Sequence, residues 1–466
     1  MINSRSWVQY SPTYRSREME ILRDWMIRGI SGSVIGLPGA GKSNFLGFLC
    51  HRPDVLQMLL VDHPVQITLI PIDLNNLPDG TIATFYRVIL RAFYETRSHL
   101  SQLLQPAVTS SYLENYNVRD PFVVQSALRE LLGQFQAHNI RVGFVFDRFD
   151  DFCETARPQT MAALRGLRDS FKTSLFYIAG MRWEAAYIST SFVSGELYEI
   201  FDTHICWIGS MSESDAQELV RQETCMASAL PTESEVQVLR ELSGAFPSVL
   251  KVLIDWWLTA PNKPELGLWP ESLLANSGIV HRLQGIIDGL SQEEFLLISE
   301  LEKPSYRRET ANSLQRSSRY QEQILIRLSE KGLCYLSETG WKVTGTLLAS
   351  YLAMTRGRGK GRIWLDEEQG EIYQGSCLVS ELTHLEREVL RFLLKNPRIR
   401  HTKTELIVNA WPEDLSREGI TDESLYQVIA GLRKKIEPAP ARPCYIVNWR
   451  GKPEGGYQLF PEGRPT

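Results

Sequence analysis

Eight consecutive residues constrain this chain more than any others: Gly36, Leu37, Pro38, Gly39, Ala40, Gly41, Lys42 and Ser43. They fit G-x-x-x-x-G-K-[ST], a loop whose glycines let the backbone turn its N–H groups inward onto phosphate oxygens. Such a loop needs a strand before it and a helix after it. Ser33, Val34 and Ile35 supply the strand, and Asn44, Phe45, Leu46, Gly47, Phe48 and Leu49 read as a helix start. The positive end of that helix adds to the attraction for an anion. Gly36, Pro38, Gly39, Ala40, Gly41 and Asn44 are therefore candidate phosphate contacts. Lys42 is the cation for the terminal phosphates of ATP or ADP, and Ser43 is a ligand for Mg2+.

A chain of 466 residues is too long for one core, and about three domains is the natural expectation. The composition, 43% hydrophobic and 23% charged, is that of an ordinary globular protein. A net charge of −5 excludes a globally basic nucleic-acid coat but not a local basic face. The seven cysteines form no C-x-x-C pair, so neither a zinc site nor a disulfide framework is expected, and a reducing cytoplasm is. The first ten residues lack a signal-peptide apolar core, and there is no apolar run of membrane-spanning length. No membrane partner is expected.

Residues 11–30 read as an amphipathic helix with Met19, Leu22, Trp25 and Met26 on one face. Residues 65–74 are a nearly continuous apolar run, as for a strand covered on both faces. Residues 81–99 and 121–137 have helical periodicity. Val142, Gly143, Phe144, Val145 and Phe146 then lead into Asp147, a Walker B pattern in which a buried strand delivers a carboxylate beside the phosphate loop. Asp147 would join Ser43 in the magnesium shell. Hydrolysing members of this class place a glutamate directly after that aspartate, and here Arg148 stands there, followed by Phe149, Asp150 and Asp151. Either Asp150 or Asp151 takes the general-base role, or hydrolysis is slow, which suits a switch better than a motor. Residues 174–179 form another strand, and Arg182 just beyond it is either a γ-phosphate sensor or a structural ion pair. A last strand at 203–208 precedes helices at 212–226 and 232–242. The turn Gly244, Ala245, Phe246, Pro247 and a helix at 248–258 follow.

Walker A, Walker B, a sensor-strand arginine and a helical segment with a G-x-x-P turn resemble the STAND and archaeal-type ATPases of the AAA+ superclass over residues 10–260. That resemblance implies a parallel α/β P-loop core at 1–210 and a helical lid at 211–275. It also implies that Pro247 sits near the adenine or ribose. Residues 276–354, helices followed by a hairpin, read as a first winged helix, and 355–362, alternating glycine with cation, as a linker.

From residue 363 the pattern changes. Thr383 with Glu386 makes a capping box ahead of Leu385, Val389, Leu390, Phe392 and Leu393. A second helix spans 403–411. A third, at 424–436, has Leu425, Val428, Ile429, Leu432 and Ile436 on one face, and Tyr426, Gln427, Arg433 and Lys434 on the other. A closing hairpin covers 445–448 and 456–460. Residues 363–466 resemble the OmpR/PhoB-type winged-helix effector domain. The matches are Leu382-Thr383-x-x-Glu386, Glu405-Leu406 with Trp411, Leu432-Arg433-x-Lys435, and Arg450-Gly451 with Gly456-Tyr457. Two departures stand out: the wing is expanded by Lys452, Pro453, Glu454 and Gly455, and Ala430 replaces an arginine common in that family. The resemblance implies that the third helix enters the major groove of duplex DNA. Gln427 would then meet an adenine edge, while Arg433, Lys434, Arg450 and Lys452 meet phosphates, beside Tyr426.

The sequence thus describes a multidomain α/β chain: a P-loop NTPase with a parallel sheet and helical lid, then two winged helices. The expected function is a cytoplasmic, ATP-binding transcriptional regulator acting on duplex DNA, with nucleotide-dependent homo-oligomerisation. Two other readings stay open: a DNA-targeted ATPase of defence or DNA mobility, and a nucleotide-binding scaffold whose winged helices contact protein.

Overall fold

The computed structural model describes residues 4–193, 195–227, 230–260, 263–301, 319–354, 359–367, 369–375, 377–411, 422–451 and 454–464. The chain divides into two compact units. The first comprises Met1–Leu290, Ile326–Tyr335 and Thr344–Thr346; the second comprises Ser291–Leu325, Leu336–Val343 and Leu347–Thr466.

The first unit is built on five strands: β1 (Gly32–Ile35), β2 (Gln66–Ile72), β3 (Ile140–Phe146), β4 (Leu175–Met181) and β5 (Ile205–Trp207). They are ordered β2-β3-β4-β1-β5, and every recorded pairing is parallel. A parallel sheet needs helical crossovers that cover both faces, and its inner strands accordingly read as apolar runs. β1 and β4 are buried along their whole length. β2 differs from the expected doubly covered strand: it is an edge, with Gln66 exposed and Ile67 and Thr68 half-buried. Phe93, Phe135, Phe144, Phe146, Phe149 and Tyr177 lie at 0% exposure around β3 and β4. Phe144 stacks on Tyr177 with centroids 5.7 Å apart, and the Tyr177 hydroxyl donates to the Leu164 carbonyl at 2.8 Å. Each such ring contributes about 1.5–3 kcal/mol by burial, so the strand that ends at Asp147 is held rigidly. The helix Gln105–Asn115 carries no signal in its periodicity, because only Val108 and Asn115 are buried.

Helices Gln292–Leu301 and Arg319–Glu330 precede a two-stranded ribbon of β6 (Cys334–Ser337) and β7 (Gly340–Val343) and the helix Thr346–Met354. A capping box starts the first: Ser291 accepts from the Glu294 N–H at 3.3 Å, and Glu294 accepts from the Ser291 N–H at 2.9 Å.

In the second unit β8 (Ile363–Leu365), β9 (Ile372–Gln374) and β10 (Cys377–Leu378) form an antiparallel sheet. Three helices follow, His384–Lys395, Lys403–Ala410 and Asp422–Ile436. Thr383 with Glu386 and Thr402 with Glu405 make complete capping boxes on the first two. β11 (Arg400–Thr402), β12 (Ile446–Trp449) and β13 (Gly456–Leu459) close the module in the order β11-β13-β12. The closing hairpin is therefore the larger part of a three-stranded sheet. β11, an Arg-His-Thr triplet, has no apolar alternation to announce it. Leu390, Leu393, Leu406, Leu425, Leu432, Ile436, Ile446 and Leu459 form the centre of this core, each at 0% exposure.

Candidate nucleotide site and nucleic-acid interface

The phosphate loop leaves β1 at Gly36 and enters the helix Lys42–His51. Gly39 and Gly41 take φ of 83° and 91°, left-handed values that only glycine adopts at little cost. Ser43 is exposed and Asn44 half-buried at the helix start. Lys42 is only 8% exposed, and its Nζ donates to the Gly36 carbonyl at the long distance of 3.4 Å. Burial pulls its pKa down, and the charges of Asp147 and Asp150 pull the other way. A desolvated ammonium with one weak neutral acceptor is a site for an anion.

Asp147 follows β3, and its Oδ1 accepts the Arg148 N–H at 3.0 Å. Arg148 is exposed and left-handed, with φ of 52°, so the next residues begin a new helix, Phe149–Thr155. Asn75 Nδ2 donates to the Asp147 carbonyl at 3.2 Å, a support that no motif signalled. Asp150 is 1% exposed. Its Oδ2 accepts the Arg182 N–H at 2.9 Å and Nε at 3.1 Å, while its Oδ1 is buried with no hydrogen-bond partner. Arg182 also pairs with Asp151 through Nη2. Arg182 is thus ion-paired with both Asp150 and Asp151. Lys42, Asp147, Asp150, Asp151 and Arg182 are one electrostatically coupled cluster.

The helix Pro247–Thr259 docks on this loop. The Ser248 N–H donates to the Gly39 carbonyl at 3.1 Å, and a Cβ on Gly39 would lie 2.1 Å from Ser248 Oγ. Pro247, at the first turn of that helix, lines a cleft with Tyr10, Tyr14, Asn44, Asp215 and Gln222. The Tyr10 and Tyr14 rings lie 4.5 Å apart, and burial raises the Tyr14 hydroxyl to about 12. Beside the loop this cleft combines the Tyr10 and Tyr14 rings, Pro247 and Leu219 with the polar groups of Asn44, Asp215 and Gln222, a mixed lining that suits a purine base.

Sequence reasoning missed the role of Arg15. It is 1% exposed and left-handed, with φ of 55°. Its Nη2 donates at 2.9 Å both to the Ala40 carbonyl in the phosphate loop and to the Gly209 carbonyl past β5; its Nη1 reaches Ser210 at 3.1 Å. Its own N–H donates to Asp215 at 3.2 Å, in the first turn of the helix Glu213–Thr224. Arg15 thus ties three parts together: its guanidinium joins the loop to the sheet edge, and its backbone N–H holds the lid at Asp215. Nothing in Tyr14-Arg15-Ser16-Arg17 marks which of its two arginines is buried.

In the second unit Tyr426, Gln427 and Lys434 are exposed on the third helix, and Arg450 is exposed after β12. Lys452 lies outside the described residues. Arg433, expected to meet phosphate, is half-buried and bonded within the module. Its Nε donates to the Ile446 carbonyl at 3.0 Å and its Nη2 to Asn448 Oδ1 at 2.6 Å, so it fastens the helix to β12. Glu437, one turn later and 1% exposed, accepts the N–H groups of Cys444, Tyr445 and Ile446 at 2.7–2.9 Å. Helix and strand are thereby locked as one body. No cluster of three or more His, Cys, Asp or Glu suited to a metal occurs among the described residues. None of their helices is long and apolar enough to cross a membrane.

No functionally curated protein matches the chain significantly. Among solved structures, a Walker-type ATPase of Pyrococcus abyssi aligns at 14% identity with a TM-score of 0.41, covering 73% of this chain and 95% of that one. The ORC2 protein of Aeropyrum pernix, in ADPNP and ADP complexes, aligns at 12% identity with a TM-score of 0.38, over 72% and 91%. Cdc6p of Pyrobaculum aerophilum aligns at 12% with a TM-score of 0.34, over 73% and 92%. Residues 379–459 match the family model described as transcriptional regulatory protein, C terminal. With its loop after β1, its acid after β3 and its parallel sheet ordered β2-β3-β4-β1-β5, the first unit has the arrangement of a P-loop nucleotide-binding fold, and residues 379–459 are similar to the C-terminal domain of transcriptional regulatory proteins.

Proposed function

We propose that the protein is an ATP-responsive regulator of transcription that binds duplex DNA through residues 363–466. The observation that carries the reading is the double attachment of the lid to the phosphate loop, through Ser248 to Gly39 and through Arg15 to Ala40 and Asp215. A ligand that occupies the loop must then be felt by the lid, which is what a nucleotide switch requires.

The residues suit a magnesium nucleotide. Lys42 offers an under-satisfied buried ammonium, Gly39 and Gly41 turn the loop backbone, and the cleft beside Pro247 takes the base. Mg2+ is bound mainly by phosphates and water with one or two protein oxygens, so Ser43 and Asp147 suffice without a dedicated cage. When bound, the ion neutralises phosphate charge. Asp150 and Asp151 are held by Arg182 and Arg148 is exposed, an arrangement that favours slow turnover and a long-lived bound state. The regulator acts in the cytoplasm and self-associates in a nucleotide-dependent way.

The test is genome-wide footprinting of the purified protein with ATP, with ADP and without nucleotide. Discrete sites whose occupancy changes with nucleotide support the reading. Fast turnover stimulated by DNA would move the protein to the DNA-targeted ATPases. Tight nucleotide binding with no DNA affinity would leave the scaffold reading.

A further inference from the structure

We infer that the third helix reads an A·T-containing half-site, with Gln427 on adenine and the Ala430 methyl on a neighbouring thymine, rather than a guanine-centred one. The inference rests on the regulator reading above and specifies what its DNA site contains.

Guanine is read in the major groove chiefly by Arg or Lys reaching O6 and N7. The helix Asp422–Ile436 has three cations, Arg433, Lys434 and Lys435, all in its last turn. Two are committed to the fold. Arg433 holds Ile446 and Asn448 on β12, and Lys435 donates to the Glu381 carbonyl at 2.7 Å and pairs with Glu386. Lys434 is exposed, but it stands near the C-terminal end, and helices docked in this way present their N-terminal residues to the bases.

The exposed residues of the earlier turns are Asp422, Glu423, Tyr426, Gln427 and Ala430. Asp422 pairs with Lys403, whose ammonium also sits 5.0 Å from the Tyr426 ring centroid. Glu423 can only accept hydrogen bonds when ionised, so it makes no contact with guanine O6 and N7. Gln427 and Ala430 are three residues apart and share a face, about 4.5 Å along the axis. That offset is close to one base step of about 3.4 Å. The Gln427 amide would donate from Nε2 to adenine N7 and accept from the adenine N6 amino group at Oε1. The Ala430 methyl would pack on the thymine C5 methyl, where an arginine would have reached for guanine.

The experiment is selection of the full-length protein on a randomised duplex library at low salt, with ATP present. The expected result is enrichment of A·T pairs at two adjacent positions. Gln427→Ala should abolish discrimination at one of them, a loss of about 5- to 150-fold for a bidentate contact. Ala430→Arg should convert the neighbouring preference to guanine. Both side chains are exposed, so the variants keep the fold, which a thermal melt verifies. Enrichment of a G·C core that Gln427→Ala leaves unmoved overturns the inference, as does tight binding with no base preference. Retention of no duplex at all removes the regulator reading itself, and this inference with it.

Discussion

The phosphate-loop edge and the third helix of the winged module both bring charged side chains together, but they use them in opposite ways. At the loop edge the charges are under-satisfied: Lys42 has one long contact, and Asp150 Oδ1 is buried without a partner. On the third helix they are spent internally, Arg433 on Ile446 and Asn448, and Lys435 on Glu381 and Glu386. Buried polar groups left short of partners are costly, so the first arrangement persists where a ligand completes it. The second is what a small module needs to hold a helix against its wing. A cation in a motif is thus no guide to ligand contact until its partners are known.

The sharpest way to break that contrast is at Lys42. Lys42→Ala should weaken ATP binding by about 2–5 kcal/mol, the range for removing one partner of a buried charged pair, while leaving the fold intact. Titration calorimetry that finds unchanged affinity would mean the ammonium is a structural group after all, like Arg433.

Arg15 should come next. Arg15→Ala strips donors from the Ala40, Gly209 and Ser210 carbonyls and should destabilise the first unit by about 3 kcal/mol, as for loss of a buried charged network. Arg15→Lys should not restore it, because an ammonium cannot span three acceptors in a fixed fork. Urea unfolding followed by tryptophan fluorescence reads both. Full rescue by lysine would show that charge alone is needed there, and would weaken the clasp between loop and lid.

The order of these effects also marks what the sequence discloses. The loop, Asp147 and the strands β1 and β3 that lead into them are legible because phosphate binding demands fixed residue types at fixed spacing. The capping box of Thr383 and Glu386 is legible for the same reason. Arg15, Asn75 and Glu437 are not, because each acts on backbone atoms remote in the chain, and backbone acceptors leave no trace in residue type. The edge position of β2 was hidden too: Val65 to Leu74 is apolar enough for a central strand, and only sheet order reveals its open side. β11 and the helix Gln105–Asn115 escaped because neither buries a periodic stripe.

In the second unit the contrast predicts two different losses. Arg433→Ala should lower the module's stability by about 1–3 kcal/mol, since two acceptors on β12 lose their donor. Its effect on DNA affinity should follow that loss. Lys434→Ala should leave the melt unchanged and reduce the salt dependence of DNA binding by about one log–log unit. A flat melt for Arg433→Ala together with a reduced salt slope would return Arg433 to phosphate contact.

The smallest effect should come from the residue that most distinguishes the acid strand. Arg148 fills the place where a glutamate would polarise the attacking water, so restoring glutamate is the obvious way to seek activity. The structure gives a reason for it to fail. Arg148 is left-handed at φ of 52°, exposed, and turned out of the cluster, while the carboxylate facing inward is Asp150. A glutamate on the same backbone would also point to solvent. Arg148→Glu should therefore leave steady-state turnover unchanged within error, at a rate below about 10 per second, the ordinary enzyme median. Phosphate release assays on both proteins decide it. A clear rise in the variant would mean that this turn reorganises when nucleotide binds, and that the under-satisfied Asp150 is a resting partner of Arg182 rather than the inward-facing carboxylate of the working site.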